Sequence, residues 1–152
     1  MLVLKRDYEG QDLCGVAKTL ELVGERWTLL IIRDAFLGLR RFEEFHSSLG
    51  VARNVLSERL NRLVEEGVFD RVRYSERPER FEYRLTKKGR ELNIALTALR
   101  EWGERHVVGT APRVLRRRSD GTPVIAALVP KGTKTLQPRE VELVPRRRRA
   151  GA

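Results

Sequence analysis

Between positions 41 and 85 the apolar residues change their spacing twice, and each change marks a new element. Phe42, Phe45 and Leu49 recur at i, i+3 and i+7, the stripe of a helix of about two turns. Gly50 follows, a residue that accepts the left-handed backbone on which helices end, and Val51 is the apolar residue such a turn tucks inward. Leu56, Leu60 and Leu63 set a second helical stripe, closed by Gly67. Projected at about 100° per residue, Asn54, Ser57, Glu58, Asn61 and Glu65 lie away from these leucines, with Arg53 and Arg62 on the flanks. The period then drops to two. Residues 68–74 put Val68, Val72 and Tyr74 on one face, and Phe81, Tyr83 and Leu85 alternate with Glu82 and Arg84, so two strands are predicted. The polar stretch 75–80 contains Pro78 and reads as the loop between them.

Helix, tight turn, helix and a two-stranded hairpin, in that order, outline a winged helix-turn-helix of the α+β class. In a helix-turn-helix the second helix enters the major groove and its N-terminal residues reach base edges. Arg suits guanine, Asn suits adenine and Ser serves either. Arg53, Asn54, Ser57, Glu58, Asn61 and Arg62 are therefore the candidate base-reading set. Periodicity fixes burial and not ligand, so an ordinary solvated helix face stays open for the helix taken alone. Arg77 and Arg80 of the hairpin tip are placed on phosphates or in a minor groove, where charge and reach suffice. Surface pairing with Glu76 and Glu79 is the alternative for those two arginines.

The flanks complete a core. Residues 25–37 leave little polar surface and read as a buried central helix, with 16–23 as a shorter amphipathic helix beside it. Thr86 can cap the next helix. That helix carries Leu92, Ala95, Leu96, Leu99, Trp102 and His106 on one stripe, which needs a cover. The C-terminal segment or a second subunit can supply it. A two-fold dimer is the commoner solution, which makes Leu92, Leu96, Leu99 and Trp102 the candidate dimerisation residues.

The order and spacing of short motifs over residues 14–106 resemble the HxlR-type transcriptional regulators. They begin with Cys14 and with Gly24-Glu25-Arg26-Trp27 running into Leu29-Leu30-Ile31-Ile32-Arg33-Asp34. Arg41-Phe42-Glu43-Glu44-Phe45 and Asn54-Val55-Leu56-Ser57-Glu58-Arg59-Leu60 come next. Glu82-Tyr83-Arg84-Leu85-Thr86, Lys88-Gly89-Arg90-Glu91-Leu92, Arg100-Glu101-Trp102-Gly103 and His106 complete the series. The resemblance implies a bacterial homodimer that binds operator DNA and represses or activates nearby genes; two helix-turn-helix units related by a two-fold axis are then expected to read a pseudo-palindromic operator in double-stranded DNA. It also implies that a Cys near position 14 can sense oxidants or electrophiles. One departure stands here: the family often has Pro after that Cys, and this chain has Gly15. An inert, half-buried thiol is the alternative for Cys14.

Charge is uneven. The chain carries a formal +10, but residues 1–110 hold 20 Lys+Arg against 18 Asp+Glu, whereas 111–152 hold 11 against 3. The basic excess therefore belongs to the C-terminal part, whose 146–149 arginine run favours an anionic partner without choosing one. Ahead of that run, Asp120-Gly121 and Pro130-Lys131-Gly132 are turn signals separating apolar runs at 114–115, 124–129 and 141–144. They predict a small β-meander appended to the winged helix, serving dimer support or ligand sensing. The expected organisation is an N-terminal arm at 1–13, a winged helix-turn-helix with its dimerisation helix at 14–108, a β extension at 109–144 and a basic tail at 145–152.

Composition narrows the class further. The single Cys cannot close an internal disulfide, and the N-terminus shows isolated charges with no signal-like apolar run, so a cytoplasmic, nucleoid-associated protein without a membrane span is expected. His46 and His106 stand apart, without metal-ligand spacing or a phosphate-binding Gly loop. No metal, no cofactor and no enzymatic activity are expected. An unidentified small-molecule effector remains compatible with the pattern. The rival reading is a basic RNA- or ribosome-associated winged-helix protein anchored by its tail.

Overall fold

The structure, a computed structural model, describes Tyr8, residues 10–109 and residues 111–146. Most of the predicted N-terminal arm, and Arg147, Arg148 and Arg149 of the tail, lie outside the described residues. The chain forms two compact units, residues 1–90 and 91–152.

The first unit is the winged helix. It runs α1 (Gly15–Val23), α2 (Thr28–Phe36), α3 (Phe42–Leu49), α4 (Arg53–Glu65), β1 (Phe69–Glu76) and β2 (Glu79–Leu85), and ends on the short α5 (Lys87–Glu91). Ile31 and Ile32 of α2, Phe45 of α3, and Leu56, Leu60 and Leu63 of α4 are fully buried, joined by Val51, Val68 and Phe69. Phe45 meets Phe69 edge to face, with ring centroids 6.3 Å apart. Gly50 ends α3 at φ 61°, as its position predicts. Glu44 accepts hydrogen bonds from the backbone N–H groups of Arg40 (2.7 Å) and Arg41 (2.9 Å), which close the start of α3 and hold its carboxyl below the usual range.

Two boundaries and the burial of one residue differ from the sequence expectation. The central helix begins at Thr28, because Trp27 has φ 78°, a left-handed backbone that cannot continue a right-handed helix. The hairpin loop is also shorter than 75–80: Ser75 pairs with Arg80 and Glu76 with Glu79, leaving Arg77 and Pro78 as the turn. Lastly, Phe69, which alternation from Val68 had left out of the apolar face, is buried beside Val68. The hairpin gains a third partner where Arg41 bridges Glu82 and Tyr83 N–H donates to Arg40 O at 2.7 Å.

Thr86 caps α5 as expected, its Oγ1 accepting from Gly89 N–H at 3.0 Å and donating to Gly67 O at 2.7 Å. A β-carbon on Gly89 would collide with the Val68 carbonyl, which explains glycine at that junction.

The second unit contains α6 (Asn93–Gly103), a π-helical turn at Glu104–Val108, β3 (Arg113–Arg117) and β4 (Val141–Pro145). The expected single helix through 106 is thus interrupted at Leu92 and widened after Gly103. β3 and β4 pair antiparallel, Leu115 opposite Leu143. The predicted Asp120-Gly121 turn forms, with Gly121 at φ 71°. Residues 122–124 run back beside β3, so β4 returns to β3's other edge, not to the 124–129 run that a meander would place next to it.

Candidate nucleic-acid interface

The exposed face of α4 is set by what its buried face holds. Leu56, Leu60 and Leu63 point into the core, which turns Asn54, Glu58 and Asn61 to solvent and leaves Ser57 half-buried. Among the described residues, the side chains of Asn54, Ser57 and Asn61 make no hydrogen bond, so their donors and acceptors face outward uncommitted.

The arginines of the same helix are all engaged within the protein. Arg53 forms an ion pair with Glu43 of α3 and lies over the Phe42 ring, 5.0 Å from its centroid. That pairing lowers the Glu43 pKa and raises that of Arg53. Arg62 was expected on the DNA-facing flank. Instead its guanidinium donates to the Glu21 carbonyl of α1 at 3.2 Å and lies 3.7 Å from Glu66. Arg59, which the pattern had not singled out, pairs with Glu25 at 2.7 Å and is only 16% exposed. Both side chains lock the back of α4 to the N-terminal part of the chain. The signal was available for Arg59, whose helical position lies about 60° from Leu56 and so close to the apolar stripe.

The wing resolves the pairing left open by the sequence. Arg73, not Arg77 or Arg80, takes the two glutamates, at 3.7 Å from Glu76 and 3.6 Å from Glu79. Arg77 and Arg80 are exposed and, among the described residues, have no ion-pair partner. Arg71 stacks over Phe81 at 3.7 Å, and Arg41 over Tyr74 at 4.6 Å, which keeps the aromatic faces of the hairpin covered.

The remaining candidates fall elsewhere. Leu92 and Leu96 are half-buried, whereas Leu99 and Trp102 are 54% and 61% exposed on α6. Trp102 packs on His106, ring centroids 5.2 Å apart. Cys14 is half-buried at the N-terminus of α1, its carbonyl accepting from Lys18 N–H at 3.0 Å. Among the described residues no group of His, Cys, Asp and Glu could hold a metal ion, and no helix is long and apolar enough to cross a membrane.

Residues 22–110 match the model of the HxlR-like helix-turn-helix family. This chain belongs to that family. Among HxlR-like relatives, an uncharacterised HTH-type transcriptional regulator of Mycobacterium tuberculosis (strain ATCC 25618 / H37Rv), Rv3095, is 53% identical over 104 residues, 68% of this chain and 64% of the relative. The match thus spans slightly less than two thirds of that relative's length. The crystal structure of PA1607, described as a candidate transcription factor, aligns at 45% identity and TM-score 0.71 over 80% of this chain and 87% of that one. The redox regulator HypR in its reduced form aligns at 30% identity and TM-score 0.57 over 61% of this chain and 95% of its own. The names of these proteins are those of regulators and not of enzymes, of transcription for Rv3095 and PA1607 and of redox response for HypR.

Proposed function

We propose that this chain is a sequence-specific DNA-binding transcriptional regulator that acts as a homodimer on a pseudo-palindromic operator. The observation that carries this reading is the uncommitted Asn54 and Asn61 on the exposed face of α4, with the half-buried, equally uncommitted Ser57 between them, directly after the Gly50 turn. Amide side chains free of internal partners are available to pair with base edges. Arg77 and Arg80 at the wing tip supply phosphate contacts, and Glu58 faces the same groove. Arg53 and Arg62, engaged with Glu43 and Glu21, act by fixing the pose of α4. Leu99 and Trp102, with Leu92 and Leu96 beneath, form the dimer face. The setting is the cytoplasm, at the nucleoid. No membrane or cofactor enters the scheme.

The test is selection of genomic fragments by purified protein at moderate salt, with structured RNA as competitor. Enrichment of a two-fold symmetric motif supports the proposal. Capture by RNA in preference to any duplex overturns it in favour of the RNA-associated reading. In the same assay Arg77→Ala and Arg80→Ala should weaken operator and random duplexes alike, each reducing the salt slope of log K by about 1. A loss confined to the operator would assign these arginines to base reading.

Signal response is proposed at Cys14, the chain's one thiol, because HypR, 30% identical to this chain, is described as a redox regulator. Diamide should then change both operator affinity and mobility on a non-reducing gel. If neither moves, Cys14 is not the responsive residue.

A further inference from the structure

The second unit carries a segment with no task in reading DNA. After Gly121 the chain runs beside β3, held by Arg117 N–H to Thr122 O (2.8 Å) and Val124 N–H to Leu115 O (3.0 Å), and then leaves the sheet. Residues 124–129, Val-Ile-Ala-Ala-Leu-Val, contain no charge in a chain that is 34% charged. Both carboxylate oxygens of Glu101 accept from Ala126 N–H, at 3.0 and 3.2 Å, so this strap is fastened to α6 one residue before Trp102. Among the described residues, the backbone of Ile125, Ala127, Leu128 and Val129 makes no hydrogen bond. Ile125 is 74% exposed and Leu128 fully so, whereas Val129 is about half-covered at 47%.

We propose that the strap at 124–129 is a docking strand for a second copy of this chain, continuing the dimer face of α6. The proposal rests on the dimer reading above and extends it to a part of the chain that reading leaves unused. Three considerations select a second copy as the occupant.

Area is the first. Ile94, Leu99, Trp102, Val107 and Val108 expose roughly 500 Å² if each side chain offers about 100 Å², short of the roughly 800 Å² per partner of a standard interface even with all five counted on one face. Ile125, Leu128 and Val129 add up to roughly 300 Å² by the same count and bring the patch within reach of that size.

Chemistry is the second. The strap has no cation to offer a phosphate, so nucleic acid does not fit it. An apolar strand with free N–H and C=O groups is instead complementary to itself: antiparallel pairing across a two-fold axis satisfies both copies at once.

The third is distribution. The alignment with PA1607 covers 80% of this chain, more than residues 1–110 can supply, whereas that with HypR covers 61%. At least part of the C-terminal extension therefore has a counterpart in PA1607, whereas HypR, aligned over 95% of its own length, leaves no room for one, so the extension is not required by the winged helix itself.

Sedimentation equilibrium of the full chain across a concentration series tests this, with Ile125→Ser/Leu128→Ser and, separately, Trp102→Asp. The double variant should raise the dimer Kd by about 100-fold or more while far-UV circular dichroism and the melting curve of the dilute protein stay unchanged. Hydrogen exchange adds a readout on the unmutated protein, in which the amides of Leu128 and Val129 should gain protection as the protein is concentrated. An unchanged Kd, or amides that stay unprotected, with Trp102→Asp still dissociating the dimer, overturns the strap and leaves the α6 dimer standing. A wild-type chain that is monomeric throughout the series removes the dimer and the strap together.

Discussion

Phe45→Ala should lower the unfolding free energy of the winged-helix unit by about 3–5 kcal/mol. Phe45 has no exposed surface, and its ring meets the equally buried Phe69 at an interplanar angle of 69°. The pair joins α3 to β1, one element on each side of α4 in sequence. Removing the benzyl group loses its transfer energy and leaves a void that Leu56, Leu60 and Phe69 cannot all relax into. Domains of this size are stable by only about 5–15 kcal/mol, so the substitution removes between about a fifth and all of that margin. Urea denaturation followed by circular dichroism is the direct measurement. A loss below about 1 kcal/mol would mean that the α3–β1 seam is loosely packed and does not set the position of α4.

Asn61→Ala and Asn54→Ala should each cost about 1–3 kcal/mol of discrimination between operator and random DNA, a factor of roughly 5 to 150. Both residues are exposed and without internal hydrogen bonds, so truncation leaves the core and the helix contacts untouched. Affinity for random duplex should stay within about 0.5 kcal/mol of wild type, the usual range for a surface substitution. The comparison is a competition binding curve on both DNAs at one salt concentration. Equal losses on the two would show that neither amide reads a base, and would shift the reading to Ser57 and Glu58.

The helix-turn-helix was legible because its signals are local. Gly50 after the Phe42-Phe45-Leu49 stripe and the leucine spacing of α4 are short-range facts, and the structure reproduces both. Thr86 was legible for the same reason, being a hydroxyl between a strand and a helix. What failed depended on partners distant in sequence or on polar residues that carry no periodicity. The extension of the wing strands to Glu76 and Glu79 is invisible to an apolar pattern, since both faces of the hairpin tip are polar. The return of β4 to β3 is set by tertiary pairing, not by the Pro130 turn that precedes it. Among the arginines, sequence gave charge and helical position but not reach. A guanidinium can swing from one flank of a helix to a carbonyl on another, as Arg62 does toward Glu21.

The engagement of the α4 arginines also bears on how fast a site is found. Arg53, Arg59 and Arg62 are all occupied, while Glu58 and Glu65 sit on the outer side of the helix. On the proposed docking, a random phosphate backbone is gripped chiefly by Arg77 and Arg80 at the wing tip, through charges screened over about 8 Å at physiological ionic strength. Such a grip is brief, and the acidic residues of α4 shorten it further. Dwell time then lengthens only where the amides find their bases, so selectivity is expressed as rapid departure from wrong sequences as much as tight hold on the right one.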